Sequence, residues 1–139
     1  MSVLRKDPST GRWVLFQDGP QEPRQAATSC PFCGGHEAMT PPEIIAWGPP
    51  GRRPNQPGWQ VRVVANVRPA LRIEEPLTRK AERMYDTASG TGAHEIVIET
   101  PEHCDSLSGL SSDHIALALA AWAERIRDLK RDKRIRSVF

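Results

Sequence analysis

The chain has 139 residues, a formal charge of +2 at pH 7, 38% hydrophobic residues and 6% aromatic residues. This length suits one domain with a modest core, and so small a charge gives little support to a general nucleic-acid binder. The 13 prolines and 10 glycines predict abundant loops and few helices. No run of about 18 apolar residues exists, so no membrane association is expected. The three cysteines are an odd number, which argues against a secreted disulfide framework and favours a cytoplasmic protein.

The first part of the chain predicts short strands separated by turns. Asp7-Pro8 begins a turn that leads into a β-branched and aromatic strand over 12–16. The polar, proline-broken residues 18–28 predict an exposed connector. A further short strand is expected at 43–47, after a pair of prolines. This pattern is typical of a loop-rich domain with a sheet.

Two clearer strands are predicted in the middle of the chain. Residues 59–65 alternate well enough to place Trp59, Val61 and Val63 on one face. Residues 94–99 form the second strand, and a turn follows it. Between the two, residues 72–92 carry mixed charge, a proline and a polar tip, which predicts a mobile excursion.

One helix is predicted near the C-terminal end of the sequence. Ser111, Ser112 or Asp113 can cap its first turn. An apolar stripe follows at three- and four-residue steps, formed by Ile115, Ala118, Leu119, Trp122, Ile126 and Leu129. The far end of the helix mixes basic and acidic residues, which favours a solvated face over a nucleic-acid stripe.

Chemistry concentrates at the stretch Ser29-Cys30-Pro31-Phe32-Cys33-Gly34-Gly35-His36-Glu37. Two cysteines two residues apart on a tight turn can direct both thiolates to one tetrahedral ion, and the glycines relieve crowding behind them. We interpret the stretch as a zinc knuckle. The alternatives are a redox pair, which would normally open a helix that Gly34-Gly35 cannot start well, and two inert thiols.

A structural zinc needs four ligands, and the knuckle supplies two. His103 is the best third candidate, because the turn after a strand can hold an imidazole rigidly. His36 lies on the flexible side of the glycines, His94 lies in a strand and His114 in the first turn of the helix. Cys104 is either the fourth ligand or a spare thiol, and we favour the spare because adjacent ligands are strained.

The order of the motifs along the chain is itself informative. The set consists of Arg5-Lys6-Asp7-Pro8, Thr10-Gly11-Arg12-Trp13-Val14, Cys30-Pro31-Phe32-Cys33, Thr40-Pro41-Pro42-Glu43, Val61-Arg62-Val63-Val64-Ala65-Asn66 with Pro69-Ala70-Leu71, and His94-Glu95-Ile96-Val97-Ile98-Glu99-Thr100-Pro101-Glu102-His103. In this order the motifs resemble the N-terminal half of galactose-1-phosphate uridylyltransferases, enzymes of the histidine-triad superfamily. The resemblance covers nearly the whole chain.

The resemblance implies a transferase of galactose metabolism that moves a uridylyl group from UDP-glucose to a hexose 1-phosphate through a nucleotidyl-histidine. It also implies which residues bind zinc, namely Cys30, Cys33 and His103. The implied nucleotide-binding residues are Asn66 and Val67 at a strand end, with Phe32, Val64 and Ile96 forming an apolar slot around the base.

Three departures from the family pattern bear on activity. The family's His-Pro-His motif, with the nucleophile and the fourth zinc ligand, lies beyond the strand that Val138-Phe139 are expected to begin, and this sequence does not contain it. Without a nucleophilic histidine the covalent route has no chemistry. The family's Arg-x-x-Arg positions read Pro20 and Pro23, and Val67 stands where an acidic residue is common.

The sequence therefore predicts an α+β domain over 1–139, an antiparallel sheet with one amphipathic helix and a zinc knuckle. This would be half of the two-module transferase fold, truncated at its C-terminus and inactive alone. The expected partners are a UDP-sugar or other nucleotide, and a second copy or a missing C-terminal half. The alternatives are a non-catalytic, zinc-stabilised nucleotide-binding remnant and a zinc-knuckle interaction module, and nucleic acid is not the favoured partner.

Overall fold

The computed structural model of the protein describes residues 2–17 and 29–139. Within these ranges, the regular elements are β1 (Ser2–Lys6), β2 (Trp13–Gln17), β3 (Glu43–Trp47), β4 (Val61–Ala65), β5 (Arg79–Glu82), β6 (Tyr85–Ser89), β7 (Glu95–Ile98) and α1 (Ser112–Leu129), with short 3₁₀ turns at Glu37–Met39 and Leu107–Gly109. The α+β class and the predicted strands at 12–16, 43–47, 59–65 and 94–99 are confirmed. The predicted connector at 18–28 lies outside the described residues.

The strands form two antiparallel sheets. The first sheet has the order β2-β1-β6-β5, and the second has the order β3-β4-β7. In the second sheet, Val64 of β4 lies opposite Ile96 of β7. One further backbone hydrogen bond, from Asn66 N–H to the His94 carbonyl at 2.9 Å, extends this pairing past the end of β4. The two sheets are the main refinement of the single sheet that the pattern predicted.

The second sheet is covered on both faces. Val61 packs with Ala118 and Ala121 of α1, whereas Val64 and Ile98 pack with Trp59 on the opposite face. The prediction that Trp59 shares a face with Val61 is therefore wrong. Trp59 precedes β4, so strand alternation does not fix the direction of its ring.

The helix forms where it was predicted, but only part of the predicted stripe is buried. Ser111 caps α1, its hydroxyl accepting a hydrogen bond from the His114 N–H at 3.2 Å. The buried residues are Ala118, Ala121 and Arg125, whereas Leu119, Trp122 and Ile126 of the predicted stripe remain 51%, 37% and 38% exposed. Small alanines allow close approach to the sheet. Arg125 donates from Nε and Nη2 to the two Glu95 carboxylate oxygens, each at 2.8 Å, and from Nη1 to Asp128 at 2.8 Å.

The predicted excursion at 72–92 is wrong over much of its length. Residues 79–89 form the β5–β6 hairpin, and β6 pairs with β1. Thr87 and Ala88, which begin the polar tip of this segment, are buried. The polar composition of this segment hid the strand, because β-pairing depends on a distant partner that local pattern does not show.

A buried ion-pair network supports the loop between β3 and β4. Glu43 holds the guanidinium groups of Arg52 and Arg62, and Arg62 also donates to the Thr40 hydroxyl at 2.8 Å. The Arg62 side chain is 1% exposed and that of Glu43 is 7% exposed. The Arg52 side chain is 10% exposed, so this arginine belongs to the network although most of its loop is exposed.

Residues 135–139 form no strand, so the strand expected to begin at Val138-Phe139 is not observed. A membrane-spanning helix is likewise not found among the described residues, since none of their helices is both long and apolar enough.

Candidate metal centre

The knuckle is a tight turn built by backbone hydrogen bonds. The Cys33 N–H donates to the Cys30 carbonyl at 3.4 Å, and the His36 N–H donates to the Cys33 carbonyl at 3.2 Å. Gly35 adopts a φ of +88°, a conformation that glycine accepts without strain. This turn presents Cys30 and Cys33 from the same side of the chain.

Two contacts fix the knuckle to the second sheet. The Gly34 N–H donates to the Pro101 carbonyl at 2.8 Å, and a Cβ at Gly34 would lie only 3.1 Å from the Pro101 Cβ. On the other side, the buried Glu37 carboxylate accepts from Gly35 N–H at 3.1 Å and from the Trp59 indole N–H at 2.7 Å. Pro101 lies just after β7 and Trp59 just before β4, so both ends of the knuckle are attached to the same sheet.

This attachment brings the third predicted ligand to the two thiols. The ligand atoms of Cys30, Cys33 and His103 all lie within 4.8 Å of one another, and Cys33 Sγ is 3.5 Å from His103 Nδ1. The two cysteines are half-buried, while the His103 side chain is 68% exposed. The three residues predicted as ligands therefore come together.

The electrostatics of the two thiols differ. A hydrogen bond from the Phe32 backbone N–H lowers the pKa of Cys30, with a smaller contribution from His103. Partial burial, followed by the neighbouring Cys30, raises the pKa of Cys33. The Cys30 thiol thus loses its proton more readily than the Cys33 thiol. Two thiol sulfurs and one imidazole nitrogen form a donor set that suits Zn²⁺, so the residues fit this metal.

Among the described residues, the other candidate ligands lie apart from this group. The His36 ring donates from Nδ1 to the Cys30 carbonyl at 2.6 Å, so it supports the knuckle backbone. His114 contacts the Glu99 carbonyl through Nε2 at 2.6 Å, and the Cys104 thiol contacts the Ser106 carbonyl at 2.8 Å. His94 lies beside Asn66 at the end of the second sheet.

An open cavity of about 390 Å³ adjoins the metal group. It is lined by Cys30, Phe32 and Cys33 of the knuckle and by residues 98–100, 102–107 and 110. Sequence reasoning did not identify Glu37, Trp59 and Pro101 as the residues that hold the knuckle. Their contacts join segments far apart in the sequence, which local patterns cannot reveal.

The predicted nucleotide-binding residues are divided between two places. Phe32 lines the cavity beside the metal group, whereas Asn66 and Val67 lie at the end of β4. Ile96 is half-buried, and Val64 has 0% exposed surface. A base could contact Val64 only after neighbouring side chains had moved. These assignments stay predictions.

Fold and donor set together define an α+β domain in which a Cys-x-x-Cys knuckle faces a histidine from the loop that follows β7. Residues 54–139 match the family model described as "Galactose-1-phosphate uridyl transferase, N-terminal domain". The match covers more than half of the chain, and the chain belongs to this family.

Individual relatives agree with the family match. The chain is 36% identical to an ADP-glucose phosphorylase of Arabidopsis thaliana, over 91% of this chain and 38% of that protein. A solved uridylyltransferase structure is 30% identical with a TM-score of 0.67, covering 99% of this chain and 37% of that one. The structure of an Arabidopsis thaliana ADP-glucose phosphorylase with bound ADP-glucose gives 30% identity and a TM-score of 0.55, covering 94% of this chain and 39% of that one. The chain thus spans about two fifths of the length of these relatives.

Proposed function

We propose that residues 1–139 are the N-terminal, metal- and nucleotide-binding part of a UDP-glucose:hexose-1-phosphate uridylyltransferase-like enzyme of galactose metabolism. The single observation that carries this proposal is the group of Cys30, Cys33 and His103 within 4.8 Å of one another, in a chain of this family. In the proposal these three residues hold a structural Zn²⁺, and the ion crosslinks the knuckle to the segment after β7. Such an ion stabilises the fold rather than supplying a reactive group.

Nucleotide binding is placed at Asn66 and Val67, with Phe32, Val64 and Ile96 on the apolar side of the base. Asn66 and Val67 follow the buried strand β4, so a rigid element positions them. The partner is a UDP-sugar or a related nucleotide-sugar. A second copy of the chain, or a C-terminal half like that of the relatives, would complete the site.

Uridylyl transfer by this chain alone is not expected. Transfer through a covalent nucleotidyl-histidine needs the His-Pro-His nucleophile, which the sequence does not contain. The chain is therefore proposed to bind a nucleotide-sugar without cleaving it.

Adenine nucleotides are the second candidate. The observation that favours them is the 36% identity to a protein named as an ADP-glucose phosphorylase. In that case the same domain would serve the phosphorolysis of an ADP-sugar.

A titration of the zinc-loaded chain with UDP-glucose and with ADP-glucose tests the proposal. We expect saturable binding of one of them by isothermal titration calorimetry, and no release of glucose 1-phosphate. Metal content is measured in parallel by native mass spectrometry, with one zinc ion expected per chain. The proposal would be overturned if the chain bound neither nucleotide-sugar nor zinc. It would also be overturned if this chain, without any partner, released glucose 1-phosphate.

A further inference from the structure

The end of the second sheet opposite the knuckle carries a pair of polar side chains that face each other. Asn66 follows β4 and His94 precedes β7, and the hydrogen bond from Asn66 N–H to the His94 carbonyl makes them cross-strand neighbours. By strand alternation, their side chains share a face with Val64 and Ile96. Asn66 is half-buried and His94 is exposed, so the pair is open to a ligand.

The hydrogen bonds around this pair determine which atoms are donors. The Arg68 backbone N–H donates to the Asn66 side-chain oxygen at 2.9 Å, so the amide nitrogen must point the other way, towards His94. The Ala70 backbone N–H donates to His94 Nδ1 at 3.0 Å. Backbone N–H groups cannot reverse their role, so both contacts are fixed in direction.

A neutral imidazole has one N–H and one acceptor nitrogen. Because Nδ1 accepts from Ala70, the ring proton lies on Nε2. That nitrogen is 3.2 Å from Asn66 Nδ2, which also carries hydrogens. Two donors therefore meet, and an acceptor placed against both would relieve the conflict. A doubly protonated ring would not help, because its Nδ1–H would then oppose the Ala70 N–H.

We propose that His94 Nε2–H and the Asn66 side-chain N–H together donate to one oxygen of a nucleoside, either a base carbonyl or a ribose hydroxyl. The neighbouring surface is apolar, since Ile96 lies beside the pair on the same face and Val67 is 70% exposed. Such a surface suits a base or sugar better than a phosphate. His94 thus becomes a ligand-contacting residue. This inference rests on the proposed function, because it places the nucleotide at Asn66.

The proton position can be tested without a ligand. Long-range ¹H–¹⁵N NMR spectra of the full chain in mildly alkaline buffer, where imidazole is neutral, report which ring nitrogen carries hydrogen. The His94 signals are identified by comparison with His94→Ala. We expect the Nε2–H form. A ring protonated on Nδ1 would overturn the inference.

The ligand class is tested by titrating the same chain with uridine, adenosine and inorganic phosphate. Uridine is expected to shift the His94 Nε2 and Asn66 Nδ2 resonances. Adenosine has a ribose but no base carbonyl, so an adenosine shift points to a ribose hydroxyl and its absence points to the carbonyl. A shift with inorganic phosphate and with neither nucleoside would overturn the assignment.

The substitution Asn66→Asp converts one donor into an acceptor. A carboxylate can accept from Arg68 N–H with one oxygen and from His94 Nε2–H with the other. The conflict between donors then disappears, and neither proposed donor to the nucleoside remains available. We expect the Tm to rise by about 3 °C and the affinity for the bound nucleoside to fall at least tenfold. Asn66→Asp with a lowered Tm and unchanged affinity would overturn the inference.

Gln60→Glu is the matched control, because it adds the same charge at an exposed position before the other end of β4. It should change neither Tm nor affinity. A nucleoside that shifts other resonances but not those of His94 and Asn66 would overturn this inference and leave the proposed function standing. If no nucleoside bound to the chain, both this inference and the nucleotide-binding part of the proposed function would be overturned.

Discussion

The two sheets of the protein differ sharply in how much of them is buried. In the second sheet, the four consecutive residues 61–64 of β4 are all buried, with α1 on one face and Trp59 on the other. In the first sheet, β2 and β5 are exposed along their whole length, and Thr87 and Ala88 are the only buried residues in its strands. Much of the first sheet therefore has little buried core, and its strands are joined mainly by backbone pairing. The second sheet carries the core, the candidate metal group and the proposed nucleotide site.

The largest effect is expected from removing Trp59. Its ring is 2% exposed, and its indole N–H holds the buried Glu37 carboxylate. Trp59→Ala should lower the free energy of unfolding by about 3–5 kcal/mol, because it leaves a cavity and an unpaired carboxylate. Urea denaturation measures the change.

The control is Trp13→Ala in β2, where the same residue type is 43% exposed. We expect a loss below about 1 kcal/mol. Equal losses for the two tryptophans would contradict the contrast between the sheets.

Zinc removal is expected to have the next largest effect. An ion bound only by the folded chain adds about 2.7 kcal/mol at a free concentration one hundred times its dissociation constant. Cys33→Ser removes one of the three grouped ligands, so the Tm of this variant should no longer depend on zinc in a thermal shift assay.

Cys104→Ser is the matched control, because the Cys104 thiol contacts the Ser106 carbonyl and lies outside the ligand group. It should retain the full zinc dependence of the Tm. Loss of zinc dependence in Cys104→Ser would instead identify Cys104 as the fourth ligand.

The smallest of the three effects concerns pH. Burial raises the pKa of Glu43, but hydrogen bonds and charge from Arg52, with a hydrogen bond from Arg62, outweigh it and lower the pKa below 4.5. A carboxyl group whose folded-state pKa is lowered stabilises the fold above its unfolded-state pKa, and this contribution is lost as the pH falls. The stability of the wild type should therefore decline below pH 4.5, and Glu43→Gln should flatten this decline.

At neutral pH, Glu43→Gln should cost about 2 kcal/mol, because it weakens a buried, hydrogen-bonded charge. Asp86→Asn in the first sheet is the control. The Lys6–Asp86 pair is long, at 4.0 Å, and both side chains are substantially exposed, so about 0–1 kcal/mol is expected. A larger loss of stability for Asp86→Asn than for Glu43→Gln would contradict the expected contrast between the two sheets.

Prediction from sequence succeeded where local pattern carries the information. The strands near 43–47 and 94–99 alternate strongly, and Ser111 caps the helix as its residue type suggests. The Cys-x-x-Cys spacing indicated a metal site that needs further ligands. His103 was the best third ligand because it lies in the turn after a strand. Prediction from sequence failed for the β5–β6 hairpin, because the polar residues of β6 are ordered by pairing with β1.

The helix shows the same division on a smaller scale. Its apolar residues determine that α1 is amphipathic, but the buried row passes through Ala118, Ala121 and Arg125 rather than through the larger residues Leu119 and Trp122. The mixed charges at the far end of the helix favour a solvated face, yet Arg125 in that region is 9% exposed. It is buried because Glu95, thirty residues away in the sequence, supplies its charge partner.

By itself, the sequence determined the class of the fold, most of the strands, the capped helix and the residues able to bind zinc, since these depend on periodicity, residue chemistry and short spacings. Only the tertiary structure decided which residues are buried, which distant segments hold the knuckle through Glu37 and Pro101, and that Asn66 and His94 meet as two donors. These features depend on contacts between residues far apart along the chain. Their partners are brought together only when the sheets form and pack.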